Sequence, residues 1–173
     1  MTLLAAAAVA TSLTLGGCNG SGLGPEWKAA PGVPGEQVPM PINLLLPREV
    51  RIHPFTGTRT FDEAEEIRGV EVRIEAIDAY GDATKAFGDF RFELYKFRQH
   101  SADPRGDRLA VWEESLLEPE KNLLHWDNIT RTYEFKLRWA RPIPAGRRFV
   151  LVATFTSPFT QRLFAQRIAV SGK

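Results

Sequence analysis

A second cysteine is missing from this chain of 173 residues: Cys18 is the only one. No intramolecular disulfide and no cysteine-based zinc cluster is therefore available to hold a fold together. Histidine is scarce too, and His53, His100 and His125 stand far apart. None has a second histidine within a helical turn or a strand repeat, so a three-histidine metal site requires tertiary convergence. An excess of one charge is also lacking, since 22 Lys and Arg meet 21 Asp and Glu for a formal net charge of +1. A dedicated nucleic-acid binder carries a strong basic excess, so we expect no nucleic-acid partner. Beyond the N-terminal segment, no apolar run approaches the length needed to span a bilayer.

The familiar catalytic signatures are absent as well. The sequence holds no Gly-x-Ser-x-Gly elbow, no phosphate loop and no His-Glu-x-x-His pair. His125-Trp126-Asp127 is the densest local cluster of polar and aromatic groups. On a strand, i and i+2 share a face, which places Asp127 to orient His125 as a base. No nucleophile accompanies them, so we read a loop in which Trp126 plugs the edge of the fold. Asp78-Ala79-Tyr80-Gly81-Asp82 and Asp103-Pro104-Arg105-Gly106-Asp107 offer carboxylates of the kind calcium takes. Arg105 and Arg108 intrude on the second, and turn formation by Asp and Gly explains both. We expect no catalytic residue, no metal and no cofactor.

What is present begins at the N-terminus. Residues 3–15 form an apolar run, interrupted by Thr11, Ser12 and Thr14, with the length of a signal-peptide core. It closes on Leu15-Gly16-Gly17-Cys18, where two glycines let an extended backbone enter a peptidase cleft. This stretch resembles the lipobox of bacterial lipoproteins. The resemblance implies cleavage before Cys18, a diacylglycerol on its thiol, acylation of the new amino group, and a membrane as partner through that lipid. Asn19 follows where inner-membrane retention often shows Asp, so the expected location is the cell envelope, on the periplasmic face of the outer membrane rather than the inner membrane. No Lys or Arg precedes the run, and since export signals begin with positive charge we expect the start to lie further upstream.

We divide the chain into a signal peptide at 1–17, a lipidated cysteine with its tether at 18–47, and a folded domain at 48–173. The tether holds five glycines and six prolines between 19 and 47, which removes backbone donors and raises the entropy cost of order. Its 29 residues reach about 90 Å when fully extended in polyproline form. Leu44-Leu45-Leu46 is too apolar to stay solvated, so that end is expected to dock on the domain.

Period two dominates from residue 48 onward. Val70, Val72, Ile74 and Ala76 alternate with Glu71, Arg73 and Glu75, and Tyr133, Phe135, Leu137 and Trp139 with Thr132, Glu134, Lys136 and Arg138. The first pattern slips by one residue, with Ile77 apolar on the charged face and Asp78 on the apolar one, which predicts a bulge or strand end near Ala76-Ile77. Further strands are expected around Phe90-Phe92-Leu94, 147–155 and 163–170, with shorter ones at Val50-Arg51-Ile52 and 109–112. Tyr95 and Phe97 fall on the charged side of their strand; we expect segment 60–66 to cover them. Thr60 to Glu63 and Ser115 to Glu118 have capping-box spacing and predict two short helical turns. Some seven strands without a crossover helix imply an all-β fold, a single antiparallel β-sandwich resembling immunoglobulin-like or C2-like domains.

The neutral total hides a bias. Residues 48–130 hold 12 Lys and Arg against 18 Asp and Glu, while residues 131–173 hold 9 against 1. We expect the basic late strands to pair with acidic earlier ones, rather than to form a patch for anionic head groups or an acidic partner. In function we expect a lipid-anchored, non-catalytic interaction or scaffold module for an envelope protein. The alternative is a small-molecule or glycan-binding module, and after that a hydrolase whose site is assembled by the fold.

Overall fold

The strongest alternations in the sequence become the two central strands of one sheet. β-branched and aromatic side chains at every second position give β3 (Gly69–Ile77) and β7 (Thr132–Arg138) one apolar face each, and the two pair antiparallel with Val72 opposite Phe135. The computed structural model from which this is read describes residues 42–61, 69–139 and 144–172. Cys18, the tether up to residue 41 and the expected helical turn at 60–63, apart from Thr60 and Phe61, lie outside the described residues.

On the outer side of β3 lie β1 (Glu49–Ile52) and β2 (Gly57–Arg59), end to end. Between them the chain kinks at residues 53–56, and the Thr56 hydroxyl bridges the gap. It accepts from the Arg73 N–H at 2.9 Å and donates to the Arg73 carbonyl at 3.3 Å. The two-residue β6 (Trp126–Asp127) pairs with β7 on the other side. The second sheet runs β5 (Arg105–Ser115), β4 (Asp89–Phe97), β8 (Arg148–Thr156) and β9 (Leu163–Val170).

All pairings are antiparallel, and the chain passes between the sheets after β3, β5 and β7. The orders β1-β3-β7-β6 and β5-β4-β8-β9 make two antiparallel sheets packed face to face as an all-β sandwich. The seven expected strands are present, with β2 and β6 as two short additions. The faces meet over Val72, Ile74, Phe90, Phe92, Phe135, Leu151 and Phe155, all fully buried. Phe90 packs its ring within 4.8–5.6 Å of Phe92, Phe135 and Phe155, and such aromatic clusters dominate core energetics.

The phase slip marks a strand end. β3 stops at Ile77, and the buried Asp78 carboxylate accepts from the N–H groups of Tyr80 and Asp82, closing the turn. Segment 42–47 docks there as expected: Ile42–Leu45 forms a 3-10 turn, and the Leu44 and Leu45 carbonyls accept from Ala79 N–H and the Thr84 hydroxyl.

Three expectations need correction. β5 spans Arg105–Ser115, because Arg105-Gly106-Asp107 pairs with the end of β4 instead of turning. Register shifts around Tyr95 broke its sequence pattern. The helix expected from a cap at Ser115 starts three residues later, capped at Glu118, as α1 (Pro119–His125). Its proline takes the first turn, where the missing N–H costs nothing, while the Ser115 hydroxyl only receives Leu117 N–H at 3.5 Å. The expected charge pairing is not found among the described residues: the ion pair between β7 and β3 has the opposite sense, with the late Glu134 on the early Arg73 at 2.9 Å, and Lys136 meets only Glu134 of its own strand. Among the described residues no carboxylate pairs with Arg147, Arg148, Arg162 or Arg167.

Candidate functional site

His125 does not join Asp127. It ends α1, and its Nδ1 lies 2.9 Å from the Glu134 carbonyl, so that nitrogen carries the proton. The Asp127 carboxylate instead accepts from the Thr130 hydroxyl at 2.8 Å and Ile129 N–H at 2.8 Å. Those donors, the hydroxyl foremost, hold its pKa below the usual carboxylate range, with Arg73 a lesser influence. Both residues line an open cleft of about 370 Å³ with Glu114, Leu124, Trp126, Glu134 and Lys136, and no serine, threonine or cysteine borders it. Trp126 packs edge-on against Tyr133 at 4.9 Å and carries Lys85 over its ring at 4.6 Å. It plugs the sandwich edge, as its sequence context suggested.

The acidic loops serve the backbone. Asp78 and Asp82 build the turn after β3. Asp103 is gripped by Arg105 through two hydrogen bonds of 2.9 Å, and this contact first, then the Arg105 N–H, lowers its pKa to about 2. Among the described residues, no three His, Cys, Asp or Glu side chains converge as a metal site would require.

The outer faces of the sheets differ. On the β3–β7 sheet the outer face is charged, with Glu71, Arg73, Asp127 and Glu134 in a continuous network. On the other sheet the β4–β5 half is also charged, with Arg91 on Glu113 at 2.5 Å and Arg108 on Glu93 at 3.1 Å. The β8–β9 half is apolar. Cross-strand register puts Phe164, Gln166, Ile168 and Val170 of β9 beside Thr154, Val152, Val150 and Arg148 of β8. Phe164 is 56% exposed, and Ile168 and Val170 also stand open to solvent, while Val150 and Val152 are buried beneath their neighbours.

Tyr95 and Phe97 continue this face on β4, half-buried, with the Arg148 guanidinium 4.0 Å above the Phe97 ring. Of their expected cover, segment 60–66, residues 62–66 lie outside the described ones. The free edge of β9 runs beside β1 and β2 of the other sheet, which Gly172 N–H joins through the Thr58 hydroxyl at 2.7 Å. Its accessible surface is therefore the face and not the edge.

A second apolar surface lies at one end of the sandwich. Strand directions bring residues 42–48, 78–88, 116–131 and 157–162 to the end where the described chain begins. Nine of the thirteen exposed large apolar side chains of the described residues are in these loops. Leu123 and Leu124 stand on α1, the latter 79% exposed, and Ile129 is 93% exposed on the turn before β7. Phe87 and Phe159 stack at 5.6 Å across two loops, and Tyr80, Leu117, Ile42 and Leu45 complete the set. The loops described at the opposite end carry none.

One hydrogen-bond network ties the loop before β4 to α1 and β7 at this end. The Tyr133 hydroxyl accepts from Ala86 N–H at 2.9 Å and donates to Asn122 Oδ1 at 2.8 Å, and Asn122 Nδ2 donates to the Ala86 and Leu116 carbonyls. Burial raises the Tyr133 pKa against the pull of these hydrogen bonds. No protein-family model, curated protein or solved structure matches the chain.

The sequence pointed to neither apolar surface. The β9 signal was nevertheless there: Leu163, Ala165 and Ala169 are apolar on one face, and Phe164, Ile168 and Val170 on the other. A half-buried strand alternates; one apolar on both faces is expected to be covered twice.

Proposed function

We propose that the protein is a lipid-anchored envelope module that binds another protein through the outer face of β8 and β9 and carries out no catalysis. The observation that supports this reading is the apolar half-face of Phe164, Ile168 and Val170, bordered by Arg148. Aromatic residues and arginine are the types enriched where proteins meet, and a contiguous exposed apolar patch marks an interaction site. The partner surface that fits is an apolar strip with carboxylates at its rim, because Arg147, Arg148, Arg162 and Arg167 form no ion pair among the described residues.

The tether reading supplies the location. The resemblance of Leu15-Gly16-Gly17-Cys18 to a lipobox supports lipidation of Cys18, with the domain on the outside of the cytoplasmic membrane or the periplasmic face of the outer membrane. Fractionation and intact mass of the full chain beside Cys18→Ser test it: a membrane-bound, acylated wild type and an unmodified variant are expected.

A photoreactive residue at position 166, in the middle of the half-face, tests the binding surface in cells. One discrete adduct is expected from position 166 and none from position 113 on the charged half. Arg148→Glu or Ile168→Asp should abolish the adduct. No adduct, or one indifferent to both substitutions, overturns the assignment, while an adduct of twice the chain's mass identifies the partner as a second copy.

A further inference from the structure

We infer that the apolar loop end rests in a lipid surface, so that the domain sits on the membrane in a fixed orientation instead of swinging free on its tether. The inference deepens the tether reading and rests on it for the identity of the surface. Three observations carry it. The described chain begins at this end, with Ile42 and Leu45 among the exposed side chains, so the segment leading back to Cys18 departs from the same face. The apolar groups come from several loops: Tyr80, Phe87, Leu124, Ile129 and Phe159 belong to four different connections, with Phe87 stacked on Phe159 and lining one apolar hollow with Leu117 and Leu123. A protein partner needs a surface complementary to this uneven outline, whereas the boundary between head groups and acyl chains deforms around tips and hollows alike and takes apolar groups to a depth of about 5–10 Å.

The third observation is the company these tips keep. Lys85 lies over Trp126 at 4.6 Å at this end, and amphipathic rings beside a long cationic side chain suit the membrane interface. Five cationic side chains (Arg48, Lys85, Lys121, Arg131 and Arg162) and five carboxylates (Asp78, Asp82, Glu118, Glu120 and Asp127) occupy these loops. The expected attraction is therefore to the apolar boundary itself and not to a particular head-group charge.

The test uses the full chain, acylated in a bacterial host and reconstituted into phosphatidylcholine vesicles containing a lipid-borne quencher. With Cys18 blocked by its lipid, Leu124→Cys or Gln99→Cys supplies the one free thiol for a fluorescent label, at the loop end and the opposite end respectively. Leu124 is so exposed that the substitution leaves the fold intact. We expect the label at 124 to lose more than half its emission and the label at 99 to lose almost none, with little change when anionic lipid is added.

Intact mass separates the two readings. An acylated protein whose position 124 stays unquenched overturns this inference and leaves the tether standing. An unacylated protein that is still quenched at 124, checked in the Cys18→Ser background, supports the loop end alone. One that is neither acylated nor quenched overturns both. Shielding of position 124 that requires added envelope protein replaces the lipid with a protein partner.

Discussion

Replacing Tyr133 with Phe removes one oxygen from a fully buried ring and leaves the packing volume unchanged. The loss is therefore electrostatic. Ala86 N–H, which donates to the hydroxyl at 2.9 Å in a buried setting, is left without a partner, at a cost of about 1–3 kcal/mol. Asn122 Oδ1 loses its donor, but the residue is only half-buried, which adds at most about 1 kcal/mol. We expect Tyr133→Phe to cost about 3 kcal/mol, a large share of the 5–15 kcal/mol typical of a domain.

In a urea titration followed by tryptophan fluorescence this lowers the midpoint by about 1–2 M at unchanged slope. Asn122→Ala and the double variant complete a cycle, with a coupling of about 1 kcal/mol or more expected for residues in direct contact. A loss below about 0.5 kcal/mol, or additive variants, refutes the claim that this network holds the loop end. The pH dependence is a second check. The folded pKa of Tyr133 is raised above its ordinary value of 10.0. Its contribution is thus complete below about pH 10, the unfolded value, and is lost as pH climbs through the folded one. Wild type should lose stability there more steeply than Tyr133→Phe.

Thr56→Val keeps the shape of the bridge between β1 and β2 but strips Arg73 N–H of its 2.9 Å partner. Thermal denaturation should show a loss of about 1–3 kcal/mol, and Thr56→Ser, which keeps the hydroxyl, a smaller one. Gly88 has φ +155°, and a Cβ there would meet the Thr156 carbonyl oxygen and the Phe155 ring. Gly88→Ala should cost on the order of 3 kcal/mol or abolish soluble expression, as read by melting temperature and yield. The Asp103 carboxyl should titrate near pH 2 by NMR, and Arg105→Ala should return it toward 3.8. Because its folded pKa is depressed, whatever it adds to stability is present above 3.8 and fades as pH falls toward 2.

The strands were legible because a half-buried strand writes its burial into alternate positions. Val70 to Ala76 and Tyr133 to Leu137 needed only that period, and the slip at Ile77-Asp78 marked a strand end. Legibility failed where backbone geometry outweighed composition. Arg105-Gly106-Asp107 has the residues of a turn, yet it pairs with β4 because Arg98 N–H already closes the loop on the Pro104 carbonyl at 2.7 Å. Ser115 to Glu118 has the spacing of a capping box, yet the helix waits for Pro119. The apolar loop end was opaque for another reason. Leu124, Ile129 and Phe159 are far apart in sequence, and only the antiparallel order of the strands sends their loops to one end.

On the lipid-anchored reading, the two surfaces divide the work. Diacylglycerol and an N-terminal acyl chain already exceed the two signals that stable anchoring takes, so the loop tips add little to affinity. What they supply is direction. A tether able to stretch about 90 Å leaves a free domain with no preferred attitude, and a randomly turned module presents its half-face to a membrane-bound partner only part of the time. Seating the loop end fixes the strands as uprights: β9 then rises from Leu163 near the membrane to Val170, over about 24 Å at the usual rise per residue. Phe164, Ile168 and Val170 thus face sideways along the bilayer, toward partners held on the same surface. Binding energy need not then be spent on orienting the module, which is the advantage of preorganisation.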